Sequence, residues 1–186
     1  MEGRFQHFDW VDFYKGIKED IPIDMPKPRG NPVEVHCFVN ASHASDKITW
    51  RSQTGILIFI NKSPILFYSK RQNLAETSIF GSEFTAMKQA IEILKALRYK
   101  LQMFGIPLHG SANVYCDNEA VYKNVAMPES VLSKKMHSIW YHFCQEAVAA
   151  EIIRIAKEDT STNLADIFTK VMQKARRDEL LDRFMY

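Results

Sequence analysis

Four polar side chains stand at the borders of predicted secondary-structure elements: Asn40, Glu83, Asp117 and Asp166. In α/β sheets, ligand sites gather at strand ends near a topological switch point. Carboxylate and amide oxygens suit hard divalent cations such as magnesium or manganese. If the fold brings these four side chains together, they form an oxygen-rich cluster able to hold such a cation.

Each of the four residues also has a structural explanation on its own. Asp117 can cap a helix, Glu83 can favour a helix dipole from the first turn, and Asn40 can serve a turn. Asn163 to Asp166 resembles a capping arrangement with Asp166 at its third helical position. The elements around these residues must therefore decide between the two interpretations.

Five strands are predicted from the hydrophobic pattern. The first alternates apolar and polar residues, whereas the second and third are short apolar runs joined by a tight turn and should form an antiparallel meander. The predicted strands cover residues 33–40, 55–60, 64–68, 113–116 and 152–155.

Helices are predicted where apolar residues recur at steps of three and four. The predicted helices are a long one over about 80–103, a short one that follows Asp117 and stops before Pro128, another over 131–149, and a last one from Asn163 to about Phe184. The order βββαβααβα predicts an α/β fold with a five-stranded mixed sheet flanked by helices, because the later strands need crossover connections.

Composition narrows the class of protein. The chain has 186 residues, 46% of them hydrophobic, and a formal net charge of +2, so one sizeable core is expected and bulk charge indicates no partner. Its three cysteines have neither disulfide-framework nor zinc-site spacing. No apolar run reaches the roughly 18 residues of a membrane span, and no signal peptide is recognised. We expect an intracellular, cytoplasmic protein without a membrane partner.

The N-terminal residues differ from the rest of the chain. Residues 1–32 hold four prolines after a short aromatic segment, which is typical of an extended linker whose aromatic residues pack back on the body. We therefore expect residues 1–32 to be a linker or connection segment and residues 33–186 to be the folded domain.

Seven short blocks, in this order, resemble the ribonuclease H domain of copia-type retrotransposon polyproteins. The blocks are Val39-Asn40-Ala41-Ser42-His43-Ala44-Ser45-Asp46, Arg51-Ser52-Gln53-Thr54-Gly55, Ser69-Lys70-Arg71-Gln72, Ser82-Glu83-Phe84-Thr85-Ala86-Met87, Tyr115-Cys116-Asp117-Asn118, Tyr141-His142-Phe143 and Leu164-Ala165-Asp166-Ile167-Phe168-Thr169-Lys170. Each block is weak evidence alone, but seven in order are strong evidence.

The resemblance implies metal-dependent hydrolysis of the RNA strand of RNA–DNA hybrids during reverse transcription. In that family four acids hold two divalent cations, magnesium or possibly manganese, and Glu83, Asp117 and Asp166 match three of the acids. Asn40 stands where the family has an Asp, and an amide oxygen carries no negative charge. We therefore expect a ribonuclease H type enzyme that is inactive or strongly impaired as it stands.

The resemblance also suggests contacts to the hybrid. Gln72, Ser82 and Asn118 are candidates near the expected cleft, and the candidate phosphate partners are Lys70, Arg71, Lys134 and Lys135. A solvated surface is an equally good explanation for the basic residues. The loop before the last predicted helix has no His, and no general acid or base is assigned.

Two other functions fit the sequence. One is a non-catalytic module that binds RNA–DNA hybrid, and the other is a structural part of a reverse transcriptase whose linker docks a polymerase domain of the same polyprotein. An integrase-like transferase shares the fold, but an acid in the first long helix, here Glu83, favours the nuclease.

Overall fold

The computed structural model describes residues 13–128, 130 and 138–185. Its strands are β1 (Val35–Ser42), β2 (Gln53–Ile60), β3 (Ser63–Arg71), β4 (Ala112–Cys116) and β5 (Ile153–Lys157). Its helices are α1 (Ile79–Met103), α2 (Glu119–Ala126), α3 (Ser138–Ala149) and α4 (Lys174–Leu181), with a 3₁₀ helix over Leu164–Phe168. The element order predicted from the sequence is confirmed up to β5. The predicted start of α3 at residue 131 lies outside the described residues.

The five strands form one mixed sheet in the order β3-β2-β1-β4-β5. β1 pairs antiparallel with β2, and β2 with β3, whereas β4 runs parallel to both β1 and β5. The predicted α/β fold and five-stranded mixed sheet are confirmed. The direction of chain progression reverses between β1 and β4, which places the ends of these two strands at the centre of the sheet.

Alternation along the strands builds a core on both faces of the sheet. Alternate residues of β1 and β2, including Val39 and Ile56, lie on one face of the sheet and pack with α1, α2 and α3 in the larger cluster. The residues between them, including Leu57 and Phe59, lie on the opposite face and pack with Leu164 and Leu180 in a smaller cluster. β2 is buried along six of its eight positions because it has helical elements on both sides.

α1 begins with a side-chain cap and ends at a glycine. The Ser78 hydroxyl accepts a hydrogen bond from the Gly81 N–H at 3.1 Å. At the other end Gly105 has φ of +69°, a left-handed conformation typical of helix termini. No helix in the described part of the chain is long and apolar enough to cross a membrane.

The predicted continuous helix from Asn163 to Phe184 is wrong. The 3₁₀ helix ends at Phe168, residues 169–173 are not helical, and α4 begins only at Lys174. Inside this break the Thr169 N–H donates back to the Asp166 carbonyl at 3.1 Å, while Val171 is 104% exposed. The apolar residues Ile167, Phe168, Val171 and Met172 keep helical spacing across the break, which is why the pattern predicts one long helix. Because Val171 is exposed, the fold does not bury that stripe.

Residues 13–32, hereafter the N-terminal segment, pack against the body of the protein. Glu19 accepts two hydrogen bonds from the Arg98 guanidinium, at 2.6 and 2.7 Å, and Arg98 also donates to the Gly110 carbonyl at 2.8 Å. The Tyr14 hydroxyl donates to Gln145 Oε1 at 2.9 Å. Arg98 is only 5% exposed, so the ion pair with Glu19 neutralises a charge that is buried in the body.

Candidate functional site

Asn40 lies within β1, on the face that the 3₁₀ helix covers. It is 3% exposed and stands opposite Gly55 of β2. β1 continues to Ser42, so the sequence interpretation that placed Asn40 at the end of its strand is wrong by two residues. The Asn40 amide nitrogen donates to the carboxylate of Asp166 and, at 3.3 Å, to the Thr169 hydroxyl.

Asp166 is held in place by the capping residue of its own 3₁₀ helix. The Asn163 side chain accepts from the Ala165 N–H at 3.1 Å and donates to the Val39 carbonyl of β1 at 3.0 Å. The capping arrangement predicted at Asn163 is therefore confirmed, and it also ties the helix to the sheet. The second oxygen of Asp166 is 2.8 Å from the Lys170 ammonium.

Gly55 allows this close approach of the 3₁₀ helix to β2. A Cβ at position 55 would lie 2.6 Å from both the Ala165 carbonyl oxygen and the Thr169 Cγ2 atom. Real Cβ atoms do not come that close to backbone oxygens, so a larger residue would push the helix and Asp166 away from Asn40. The glycine is thus required by packing across the site.

Glu83 reaches the same cluster from the other face of the sheet. It lies in the second turn of α1, so the interpretation as a first-turn dipole partner is wrong. The side chain is 8% exposed, and its Oε2 atom accepts a hydrogen bond from the Ala41 N–H at 2.9 Å. Because Ala41 follows Asn40, the carboxylate is fixed directly beside β1.

Asp117 follows β4 and precedes α2. The cap of α2 is Asn118, whose side-chain oxygen accepts from the N–H groups of Ala120 and Val121 at 3.0 and 3.1 Å, so the interpretation of Asp117 as the cap is wrong. The Asp117 carboxylate instead accepts a hydrogen bond from the Thr160 side chain. This leaves Asp117 available to the cluster.

The three carboxylates influence one another electrostatically. Burial, followed by the charges of Asp117 and Asp166, raises the pKa of Glu83 to about 9. Burial and then the charge of Asp166 also raise the pKa of Asp117, while Lys170 opposes both shifts. The structure therefore brings Asn40, Glu83, Asp117 and Asp166 together near the ends of the two central strands β1 and β4.

The donor set of this cluster fits a divalent cation by chemistry. Three carboxylates and one amide offer the oxygen ligands that magnesium and manganese prefer. In the conformation described here, however, Glu83 is bonded to a backbone N–H and Asp166 to both Asn40 and Lys170. Among the described residues, no group of three or more His, Cys, Asp and Glu side chains is arranged to hold a metal ion.

Two of the predicted hybrid-contact residues are buried. Gln72 is 2% exposed, and its Nε2 donates to the Thr54 hydroxyl at 3.0 Å and to the Ser82 carbonyl at 2.9 Å. The Ser82 hydroxyl donates to the Ile79 carbonyl at 2.9 Å. These side chains connect β2, β3 and α1 in this conformation, and their contact with a hybrid stays a prediction.

The other predicted contacts differ in how free they are. Asn118 uses its oxygen for capping, and Lys70 is exposed. The Arg71 guanidinium donates to Asp46 at 2.6 Å and so has a structural partner. Lys134 and Lys135 lie outside the described residues.

The sequence interpretation did not assign roles to Lys170, Thr169 or Gly55. The acid-to-lysine spacing of four between Asp166 and Lys170 is a signal of an ion pair that was available in the sequence. The requirement for glycine at position 55 was not available, because it comes from residues more than a hundred positions away.

Comparisons with known proteins agree with this architecture. No family model matches the chain. It is 27% identical over 146 residues to the retrovirus-related Pol polyprotein from transposon RE1 of Arabidopsis thaliana, covering 78% of this chain and 10% of that protein. The corresponding polyprotein from transposon RE2 of the same plant is 26% identical over 179 residues, covering 92% of this chain and 12% of that protein. The chain thus spans roughly a tenth of the length of these curated relatives.

A likeness to solved structures supports the fold. The crystal structure of LC11-RNase H1 in complex with RNA/DNA hybrid matches with a TM-score of 0.57 and 14% sequence identity, covering 73% of this chain and 94% of that one. At this level of identity the match shows a shared fold.

Proposed function

The chain has the ribonuclease H fold and its relatives are the Pol polyproteins of copia-type transposons, and from this premise we propose that it is a ribonuclease H type hydrolase of the RNA strand in RNA–DNA hybrids, strongly impaired by Asn40. One observation carries the proposal. Glu83 of α1, Asp117 after β4 and Asp166 of the 3₁₀ helix lie close together beside β1, where the direction of chain progression reverses between β1 and β4.

A divalent cation, magnesium or manganese, is part of this proposal. Glu83, Asp117 and Asp166 would hold it, and when bound it would activate water and stabilise the leaving oxygen. Three carboxylates and the Lys170 ammonium sum to a charge of −2 when all are ionised, which balances one dication rather than two. The second ion expected from the family resemblance would lack a neutralising charge here, because Asn40 supplies none.

Asn40 weakens the site in two ways. Its neutral amide removes a unit charge, which at about 4 Å from a cation and an effective dielectric of about 20 is worth on the order of 4 kcal/mol. If that loss falls on the barrier, the rate falls roughly a thousandfold. Its N–H also donates to Asp166, so the amide competes with a cation for that carboxylate.

Glu83 and Lys170 set the protonation and the net charge of the metal-free cluster. Because burial and neighbouring charges raise its pKa to about 9, Glu83 holds a proton near neutral pH in the metal-free protein. Binding a cation between these carboxylates would release that proton, so metal affinity should rise with pH. The Lys170 ammonium lies 2.8 Å from Asp166 Oδ2 and brings a positive charge to the cluster without a metal.

A second candidate function is favoured by the same contacts. Asn40 and Lys170 together satisfy both oxygens of Asp166 without a cation. A site that is stable in this form suits a non-catalytic module that binds hybrid. In either function residues 1–32 would connect the domain to a polymerase domain of the same polyprotein. The protein would act in a cytoplasmic retrotransposon particle.

The test compares the chain with its Asn40→Asp variant in cleaving a labelled RNA–DNA hybrid, in magnesium and in manganese. The matched control is the Asn40→Asp, Asp117→Asn double variant. We expect the single variant to cut the hybrid roughly a thousandfold faster than the unmodified chain, and the double variant to lose that gain. If neither the unmodified chain nor the Asn40→Asp variant cuts the hybrid although both bind it, the nuclease proposal is wrong and the non-catalytic binding module takes its place. Equal cutting by single and double variants would place the activity outside this site.

A further inference from the structure

The connection between β1 and β2 exposes two large apolar side chains. Residues 43–52 are hereafter the β1–β2 loop, in which Ile48 is 90% exposed and Trp50 is 66% exposed. Trp50 also has φ of +57°, in the left-handed region. This conformation is costly for a bulky side chain, and such residues cluster at functional sites.

Asp46 fixes the loop in this conformation. Its carboxylate accepts from the Ile48 N–H at 2.9 Å, the Thr49 N–H at 3.2 Å, the Thr49 hydroxyl at 2.7 Å and Arg71 at 2.6 Å. Its carbonyl accepts from the Trp50 N–H at 2.7 Å. Trp50 is therefore presented to solvent by a loop that is already ordered, which lowers the entropy cost of using it for binding.

The β1–β2 loop lies at the same end of the strands as the candidate site. Asn40 pairs with Gly55, and the two strands end two residues further on, at Ser42 and Gln53. Trp50 is five residues from Gly55, which at about 3.3 Å per residue puts it within about 17 Å of the site. At about 3.4 Å per nucleotide along a strand, this distance corresponds to about five nucleotides.

Basic residues surround the loop. Lys47 is exposed in it, Arg51 is half-buried in it, and Lys70 and Arg71 of β3 lie beside the start of β2, where Arg71 pairs with Gln53. Asp46 offsets one of these four charges. An exposed aromatic ring among cations suits a polyanion with flat faces, which is a single-stranded nucleic acid.

We propose that Trp50 stacks on an unpaired base of a nucleic-acid strand that continues out of the hybrid held at the candidate site. The inference rests on the proposed function for the position of the hybrid, but the stacking contact itself needs no catalysis. Stacking on an aromatic side chain tolerates any base, so no sequence preference is expected.

The test measures binding by fluorescence anisotropy with three probes in magnesium. The probes are a blunt RNA–DNA hybrid, the same hybrid with single-stranded DNA extensions of about five nucleotides at both ends, and free single-stranded DNA. The variants are Trp50→Ala and Trp50→Phe, and the control is Phe104→Ala, which removes an exposed aromatic ring just beyond α1.

We expect the unmodified chain to bind the extended hybrid between about fivefold and about 150-fold more tightly than the blunt hybrid. Trp50→Ala should abolish this difference, Trp50→Phe should keep part of it, and Phe104→Ala should leave it unchanged. Trp50→Gly separates binding from folding, because it removes the strain at positive φ. That variant should melt no lower than the unmodified chain and yet lose the preference for the extension.

The outcomes separate the two proposals. If hybrids bind but the extension has no effect, or Trp50→Ala keeps its effect, the stacking proposal is wrong and the proposed function stands. If only free single strands bind, and Trp50→Ala weakens their binding, Trp50 stacks on unpaired bases, but both the position of that strand beside a bound hybrid and the proposed function are wrong. Binding of none of the three probes overturns both.

Discussion

Replacing Glu83 by Gln should stabilise the metal-free protein, and increasingly so as the pH rises. The pKa of Glu83 rises from 4.5 to about 9 on folding, chiefly because the carboxyl is buried and then because Asp117 and Asp166 are near. The folded state therefore keeps a proton that the unfolded state releases, and stability falls as pH rises through this window. Gln keeps an oxygen that can accept from the Ala41 N–H but has no proton to lose.

The magnitude follows from linkage. Each pH unit between the two pKa values costs about 1.4 kcal/mol, so at pH 7 the unmodified chain should lose on the order of 3 kcal/mol relative to its stability below pH 4.5. Glu83→Gln should recover about this amount at pH 7 and little at pH 5. Asp117, whose pKa is also raised, should leave a smaller slope in the variant.

Urea unfolding in EDTA, followed by circular dichroism at pH 5.5, 7 and 8, measures this difference directly. Glu151→Gln is the matched control, because Glu151 is exposed. The control should follow the unmodified chain at every pH. Parallel stability curves for the unmodified chain and Glu83→Gln would refute the claim that the fold keeps this carboxyl protonated.

Three further changes test other contacts. Asn40→Asp should lower the melting temperature in EDTA, because it adds a buried charge beside a carboxylate. Magnesium at a hundredfold excess over its Kd should stabilise this variant by about 2.7 kcal/mol. A melting temperature that does not respond to magnesium would contradict a cation site. Gly55→Ala should cost about 1–3 kcal/mol in urea unfolding, because its Cβ would meet the Ala165 carbonyl, and unchanged stability would contradict that close approach. Arg98→Met should make the N-terminal segment more sensitive to protease, because Glu19 loses its partner. In a double-mutant cycle, adding Glu19→Gln to Arg98→Met should recover part of the lost free energy of unfolding.

Local patterns predicted most of the framework. The strands and the long helix α1 follow from periodicity, since the alternation around Val39 and the three-to-four spacing around Met87 each fit one type of element. The break after Phe168 was not predicted, because it depends on where the 3₁₀ helix meets β2. That meeting requires a residue without a side chain at position 55, which no local pattern reveals.

The proximity of the four candidate residues was predicted, but their contacts were not. The family resemblance identified Asn40, Glu83, Asp117 and Asp166, and the structure brings them together. Which hydrogen-bond donors reach these side chains depends on the geometry of the folded sheet. The Ala41 N–H, which donates to Glu83, is an example. These partners are separated widely in sequence, so spacing alone could not indicate them.

The 3₁₀ helix and α4 cover the face of the sheet that carries Leu57 and Phe59, and they follow the whole sheet in the chain. This order matters during synthesis on the ribosome. The last strand of the sheet ends at Lys157, and in the described part of the chain the residues outside the sheet that cover Leu57 and Phe59 all come from Leu164 onward. A chain emerging from the ribosome would therefore carry a complete sheet with one apolar face still open to water. Asp166 lies in the same stretch that covers that face, so the same residues bury the face and complete the site.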